Sequence, residues 1–329
     1  MIHGLTPRLA EGGKIKIGGL GEVRKGGSGA YRLPQKHEYF TITSTQRGPD
    51  IEGARGDLLI DQDLMLELTD LDDNGEVQPL TEIPIVVHSD DIDEVFPTSY
   101  AIYTGRKLAC RGDGKVAEQY IFDGKLRTNK IKEVACPCER LGRDKDPCKP
   151  HGTLHCSIRV PGQAVAGSLY KWRTTSIISL QQVVGSLNHI LATCGVLQGL
   201  PLVLCLRPME VSPKGKTNTV YVCHVELRAK DVEAVQQQAL QMAQMRQTLA
   251  SKLSDARTTY RAMLEAPGEE EDGEEQAEVQ QEFHPEKTEE PTEQEKARDA
   301  VLGESRTEQM KAKLGVGDIH EAGCEVAKK

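Results

Sequence analysis

The chain has 329 residues, 38% of them apolar and only 4% aromatic, which suits one domain of about 200 residues with weakly packed extensions rather than two full cores. No run of about 18 apolar residues occurs, and the start, MIHGLTPRLAEGGK, lacks the charged, apolar, small-residue order of an export signal, so a cytoplasmic protein without a membrane span is expected. The net charge is −9, but residues 265 to 295 carry fourteen acids and one base, leaving +4 for everything else, far from the excess of a dedicated nucleic-acid binder.

Residues 1–230 read as an α+β core, mainly antiparallel sheet with one packed helix. Short β-type runs fall at Lys14 to Ile17, Tyr39 to Ser44, Ile83 to His88 and Ser99 to Cys110, between clusters of Gly, Pro and Asp that mark turns. Gly18, Gly19 and Gly21 match neither a dinucleotide fingerprint nor a phosphate loop and are expected to form a flexible turn. Asp70, Asp72, Asn74 and Gly75 imitate half of a calcium loop. Position twelve of that loop is Thr81, however, and a strand-like IPIVV follows instead of a helix, so a solvated turn is expected.

Nine cysteines in a chain without an export signal point to reduced thiols and to metal ligation rather than to disulfides. Cys110, Cys136, Cys138 and Cys148 lie in a stretch dense in Gly, Pro, Lys and Asp that cannot build its own apolar core. Four thiolates closing on one structural Zn²⁺ would order it, defining a zinc lobe over residues 106–152. The alternatives are incidental loop thiols, or His151 replacing one cysteine, since it stands three residues after Cys148.

Downstream, Leu154, Cys156, Ile158 and Val160 alternate with His155, Ser157 and Arg159, which makes Cys156 a core residue. Trp172, between Lys171 and Arg173, has two readings: stacking on a nucleic-acid base, or packing as a large ring in the core. Ile177, Leu180, Val184, Leu187, Leu191 and Cys194 form a helical stripe, with Thr174, Thr175 and Ser176 as candidate N-caps and Gly195 as the stop. Leu202 to Leu206 suits a strand buried on both faces and Tyr221 to Leu227 an alternating one, with Cys205 and Cys223 as small hydrophobes.

Residues 231–265 repeat apolar positions at alternating three and four and are expected to form a long amphipathic helix. Its coiled-coil-like seam needs another copy, another protein or the body of this chain as partner. Residues 266–297 have almost nothing to bury and are expected to be a disordered acidic linker, and residues 298–329 a tail with a short helix around Glu304 to Leu314.

Catalytic signatures such as HExxH and GxSxG are absent. The ordered strings RLPQKHEYFTITS (Arg32 to Ser44), EIPIVV (Glu82 to Val87), FPTSYAIYTGRKLACRGDG (Phe96 to Gly114), CPCERL (Cys136 to Leu141), CKPHG (Cys148 to Gly152) and YKWRTTSIISL (Tyr170 to Leu180) resemble the phage recombination directionality factors that work with large serine integrases. The likeness covers roughly residues 1–228. It implies a non-catalytic, phage- or prophage-encoded adaptor that binds the DNA-bound integrase and favours excision between attL and attR over integration at attP and attB. Candidate partner contacts are Arg140, Arg143 and Lys145 of the lobe, together with Trp172, Arg173 and the seam of 231–265, which could also self-associate. Two other readings compete: a zinc-ribbon protein of phage replication that contacts nucleic acid directly, and a metal-dependent hydrolase using His151 or His155 at an open zinc position.

Overall fold

The computed structural model describes residues 10–228 apart from 27–28, 53–55, 70–76, 105–106, 123–128, 142–147, 161–167 and 213–216. Beyond them it describes 231, 233–237, 239–241, 243–245, 258, 260–261 and 263. The calcium-loop imitation, the linker 266–297 and the tail 298–329 therefore lie outside the described residues.

The chain opens with a long hairpin, β1 (Glu11–Gly26) and β2 (Gly29–Arg47), and a three-residue strand, β3 (Leu58–Ile60), lines the outer edge of β2. A short helix, α1 (Gln62–Leu68), starts where the Asp61 carboxylate accepts the Leu64 N–H at 3.1 Å. Then come β4 (Glu82–Val86), the single turn α2 (Ile92–Val95) and a meander of β5 (Thr98–Thr104), β6 (Lys107–Gly112), β7 (Val116–Phe122) and β8 (Asn129–Ala135). The chain returns through β9 (Lys149–Ile158) and β10 (Leu169–Thr174), enters α3 (Ile177–Cys194) and ends the body on the hairpin β11 (Leu202–Val211) and β12 (Asn218–Leu227).

All twelve strands join one mixed sheet in the order β3-β2-β1-β10-β9-β5-β6-β7-β8, with β4, β11 and β12 branching from β9. Among the described pairs of strands, β1 with β10 is parallel and the others are antiparallel. This agrees with the expected α+β class. The run expected as one strand from Ser99 to Cys110 is instead two antiparallel strands, β5 and β6, with Thr104 paired to Lys107 and Tyr100 to Gly112.

Leu154, Cys156 and Ile158 on β9 are buried as expected, but His155 and Ser157 between them are buried as well, so the strand is covered on both faces; Cys205 and Cys223 are buried on β11 and β12. Each fully buried aliphatic or aromatic side chain of this core contributes about 1.5–3 kcal/mol of transfer free energy. Helix α3 is capped by Ser176 and stopped by Gly195 at φ 75°, both as its sequence implies. Its inward face, however, is Ser179, Leu180, Val183, Leu187 and Ile190, whereas Ile177 is exposed and Val184 and Leu191 are half-buried. The stripe is rotated because two serines hydrogen-bond to the sheet: Ser179 Oγ accepts the N–H of Cys223 and Ser186 Oγ that of Val225, each at 3.1 Å.

Candidate functional site

The four cysteines singled out by sequence converge on the far end of the β5–β8 meander. Cys110 lies mid-β6 opposite Ile102 and Gln119, and Cys136 follows β8, its N–H donating to the carbonyl of Lys115 at 3.0 Å. The carbonyl of Cys138 accepts from the N–H of Leu141, and the N–H of Cys148 donates to the carbonyl of Arg140, each at 3.1 Å, which holds Cys148 beside the turn that follows Cys138. Gly112 leaves the space that Cys136 occupies, since a Cβ there would stand 2.7 Å from its Sγ.

Cys110 and Cys148 are buried, Cys136 is half-buried and Cys138 exposed. Among the described residues, Ile102 and Ala117 join Cys110 and Cys148 in a small buried apolar cluster, with Tyr100, Ala109, Val134 and Cys136 packed against it. Burial pushes the Cys148 thiol up to about 11, with repulsion from Cys138, Cys136 and Cys110 adding to it. Cys110 is raised for the same reasons, burial first, then Cys138 and Cys136. The four sulfurs thus share one electrostatic environment. A cation among them would reverse that penalty, and by ligand type the set could hold a zinc ion. His151, the alternative ligand, is buried edge-on against Tyr103 at a ring separation of 5.3 Å.

Among the described residues, one set of three donor atoms lies within 4.8 Å of one another: those of Cys205, His224 and Glu226. The lobe sulfurs are more widely spread. This second set sits at facing positions of β11 and β12, where Cys205 was expected only as a small hydrophobe and nothing in the spacing of the three residues marks them. Its charge is already balanced. Arg228 donates to Glu226 at 2.8 Å, to Cys205 Sγ at 3.7 Å and to both oxygens of Glu82, while Arg207 also pairs with Glu82. His224 contacts Glu226 at 2.8 Å. Arg228 thus already engages two of the three donor residues, and the Cys205 thiol is pushed up to about 12, burial first. The cluster is an ionic tie joining β4, β11 and β12.

The expected partner contacts separate sharply. Arg140 is exposed; Arg143 and Lys145 lie outside the described residues. Trp172 is 0% exposed, stacked on Phe96 with ring centroids 6.0 Å apart, and Arg173 is 8% exposed, so neither offers a surface to a partner or a base. The stacking reading of Trp172 is corrected: a large ring on a central strand is worth more in the core than in water. His155 faces α2, its Nδ1 3.4 Å from the carbonyl of Glu94. The described part of 231–265 is helical at 233–237, 239–241 and 243–245. Val235, Ala239 and Ala243 pack on the body's own core, and Arg261 pairs with Asp91 at 2.6 Å and Glu94 at 3.1 Å.

Charge in the body is also more polarised than its small net value suggests. Residues 56–105 contain thirteen acids and no Lys or Arg, so this stretch carries −13, as does 265–295, leaving +17 for the rest of the chain. No described helix is long and apolar enough to cross a membrane.

A branched mixed sheet with few helices, carrying a thiol-bearing meander at one end, defines a protein of the α+β class. The Gp3-like family, described as recombination directionality factor-like, matches residues 12–228, and the chain belongs to that family. No curated protein and no solved structure matches it.

Proposed function

We propose that the chain is a recombination directionality factor that binds a large serine integrase on attachment-site DNA and favours attL × attR excision over attP × attB integration, without chemistry of its own. The observation that carries this reading is the family match from 12 to 228, whose limits coincide with the sheet and α3, from β1 to the end of β12. The role is a population shift: the factor biases the integrase by its differential affinity for two arrangements. Moving an equilibrium from 1:99 to 99:1 takes about 5.5 kcal/mol, within reach of an ordinary interface of about 1,600 Å².

In this reading Cys110, Cys136, Cys138 and Cys148 hold one Zn²⁺ that staples the lobe, and four thiolates would leave the ion no open position for a reactant. Burial of Trp172 and Arg173 favours a protein partner over direct nucleic-acid contact. The protein would act in the cytoplasm of a bacterial host, encoded by a phage or prophage. The test is recombination of attL/attR and attP/attB plasmids by a large serine integrase from the same phage or prophage genome, with and without the chain. The expected result is gain of the first reaction and suppression of the second; an integrase indifferent to the chain in both reactions refutes the assignment.

A further inference from the structure

We infer that the extension 231–263 is an intramolecular strap, rooted on the core and latched at its far end by Arg261 on α2, and that the latched chain binds its protein partner more weakly than the open one; the second half rests on the partner-binding reading above. The extension lies beyond the residues 12–228 that carry the family match, yet its described residues are fastened to that body near both ends. At the near end the Asp231 carboxylate accepts the Ala234 N–H at 3.1 Å and starts a helical stretch. Val235, Ala239 and Ala243, four residues apart, meet the main core from one side of it. Ala239 is fully buried, so apolar packing holds this root.

The far end is held differently. Arg261 places one nitrogen 2.6 Å from Asp91 and another 3.1 Å from Glu94. Burial pushes the neighbouring Tyr260 hydroxyl up, with the charge of Glu94 adding to it, so two adjacent side chains of the extension meet α2. Both carboxylates also hold α2 together: Asp91 Oδ1 accepts the Asp93 N–H as the helix cap, and Glu94 Oε2 accepts the Ser89 hydroxyl. Arg261 takes the other oxygen of each. Residues 56–105 contain no Lys or Arg, so the cation for these two acids comes from a distant part of the chain.

Unequal fastenings make a latch. The Arg261 side chain is 51% exposed and that of Asp91 36%, and ion pairs this open are weak and screened by salt. The far end can therefore lift while the root stays packed. A tethered segment competes at high effective concentration, and the surface it covers belongs to the part of the chain that carries the family match. Closure thus opposes a partner that needs this surface.

The test uses the full chain, Arg261→Gln, Asp91→Asn and the double variant; asparagine at 91 still caps α2. Hydrogen exchange reads the latch. Amides at 258–263 should exchange about fivefold faster in Arg261→Gln and less so in Asp91→Asn, with those at 233–245 unchanged. The double variant should match Arg261→Gln, because both substitutions break one contact. Binding to a large serine integrase from the same phage or prophage genome should tighten by a similar factor in Arg261→Gln, which a merely structural contact would not produce. Unchanged exchange at 258–263 overturns the latch. Faster exchange with equal or weaker integrase binding overturns its inhibitory role and leaves the recombination reading intact. If neither the wild type nor the variant binds the integrase, the recombination reading falls together with the inhibitory role, and exchange alone decides the latch.

Discussion

The Ser179 hydroxyl accepts the backbone N–H of Cys223 at 3.1 Å, both residues fully buried, so a helix side chain completes the hydrogen bonding of an edge strand. Ser186 repeats the arrangement two turns later with Val225. Replacing Ser179 with alanine leaves a buried donor without a partner, and a loss of about 1–3 kcal/mol in urea unfolding is expected. An undiminished denaturation midpoint would mean that the strand edge is satisfied some other way.

Metal content gives an independent measure of the lobe. About one zinc per chain is expected by mass spectrometry of the purified protein, lost in Cys110→Ser and Cys148→Ser but retained in Cys156→Ala, whose thiol is buried in the main core. With structural zinc worth roughly 10–16 kcal/mol in small modules, chelation should expose the lobe to proteolysis. Stoichiometric zinc in Cys148→Ser would place the ion elsewhere.

These two cases mark how far the sequence could be read. Period-two alternation identified Leu154, Cys156 and Ile158 as core, and capping chemistry placed both ends of α3 at Ser176 and Gly195, because those signals are local. The rotation of α3 was not legible: Leu180 and Leu187 suit either stripe, and what decides is the pairing of Ser179 and Ser186 with strands about forty residues later. The Arg228–Glu82 tie was hidden for the same reason, its partners being 146 positions apart. Composition alone singled out the four cysteines of a glycine- and proline-rich stretch, whereas the burial of Trp172 depends on Phe96, which no short-range pattern connects to it.

Acid should weaken the tie between β4, β11 and β12. The Arg228 hydrogen bond, with Arg207 assisting against burial, holds Glu82 down from its ordinary 4.5 to about 2. A folded-state value below the unfolded one means that the stabilisation is present above pH about 4.5 and drains away as pH falls toward 2. Glu82→Gln should therefore melt a few degrees lower than the wild type at pH 7, in keeping with about 1 kcal/mol for a partly exposed network. The gap should narrow steadily below pH 4.5; a gap that is constant from pH 7 to 3 would contradict the assignment.

Gly152 makes a steric prediction. A Cβ at this position would overlap the side chain of Leu180 and come within 2.6 Å of the Phe96 ring, driving apart the helix and the Phe96–Trp172 stack. Gly152→Ala should cost about 1–3 kcal/mol as an overpacking change and shift the tryptophan emission, because Trp172 is the only tryptophan in the chain. Unaltered emission with wild-type stability would show that the ring has room to move.

The parallel pairing of Ile15 on β1 with Trp172 on β10 bridges more than 150 residues. During synthesis the N-terminal hairpin leaves the ribosome long before the strand it must lie beside, so its apolar face waits uncovered while β4 to β9 emerge. Nascent chains halted before β10 should be chaperone clients, and assembly should become productive only near the end of translation, a timing that would keep the factor from acting until it is whole.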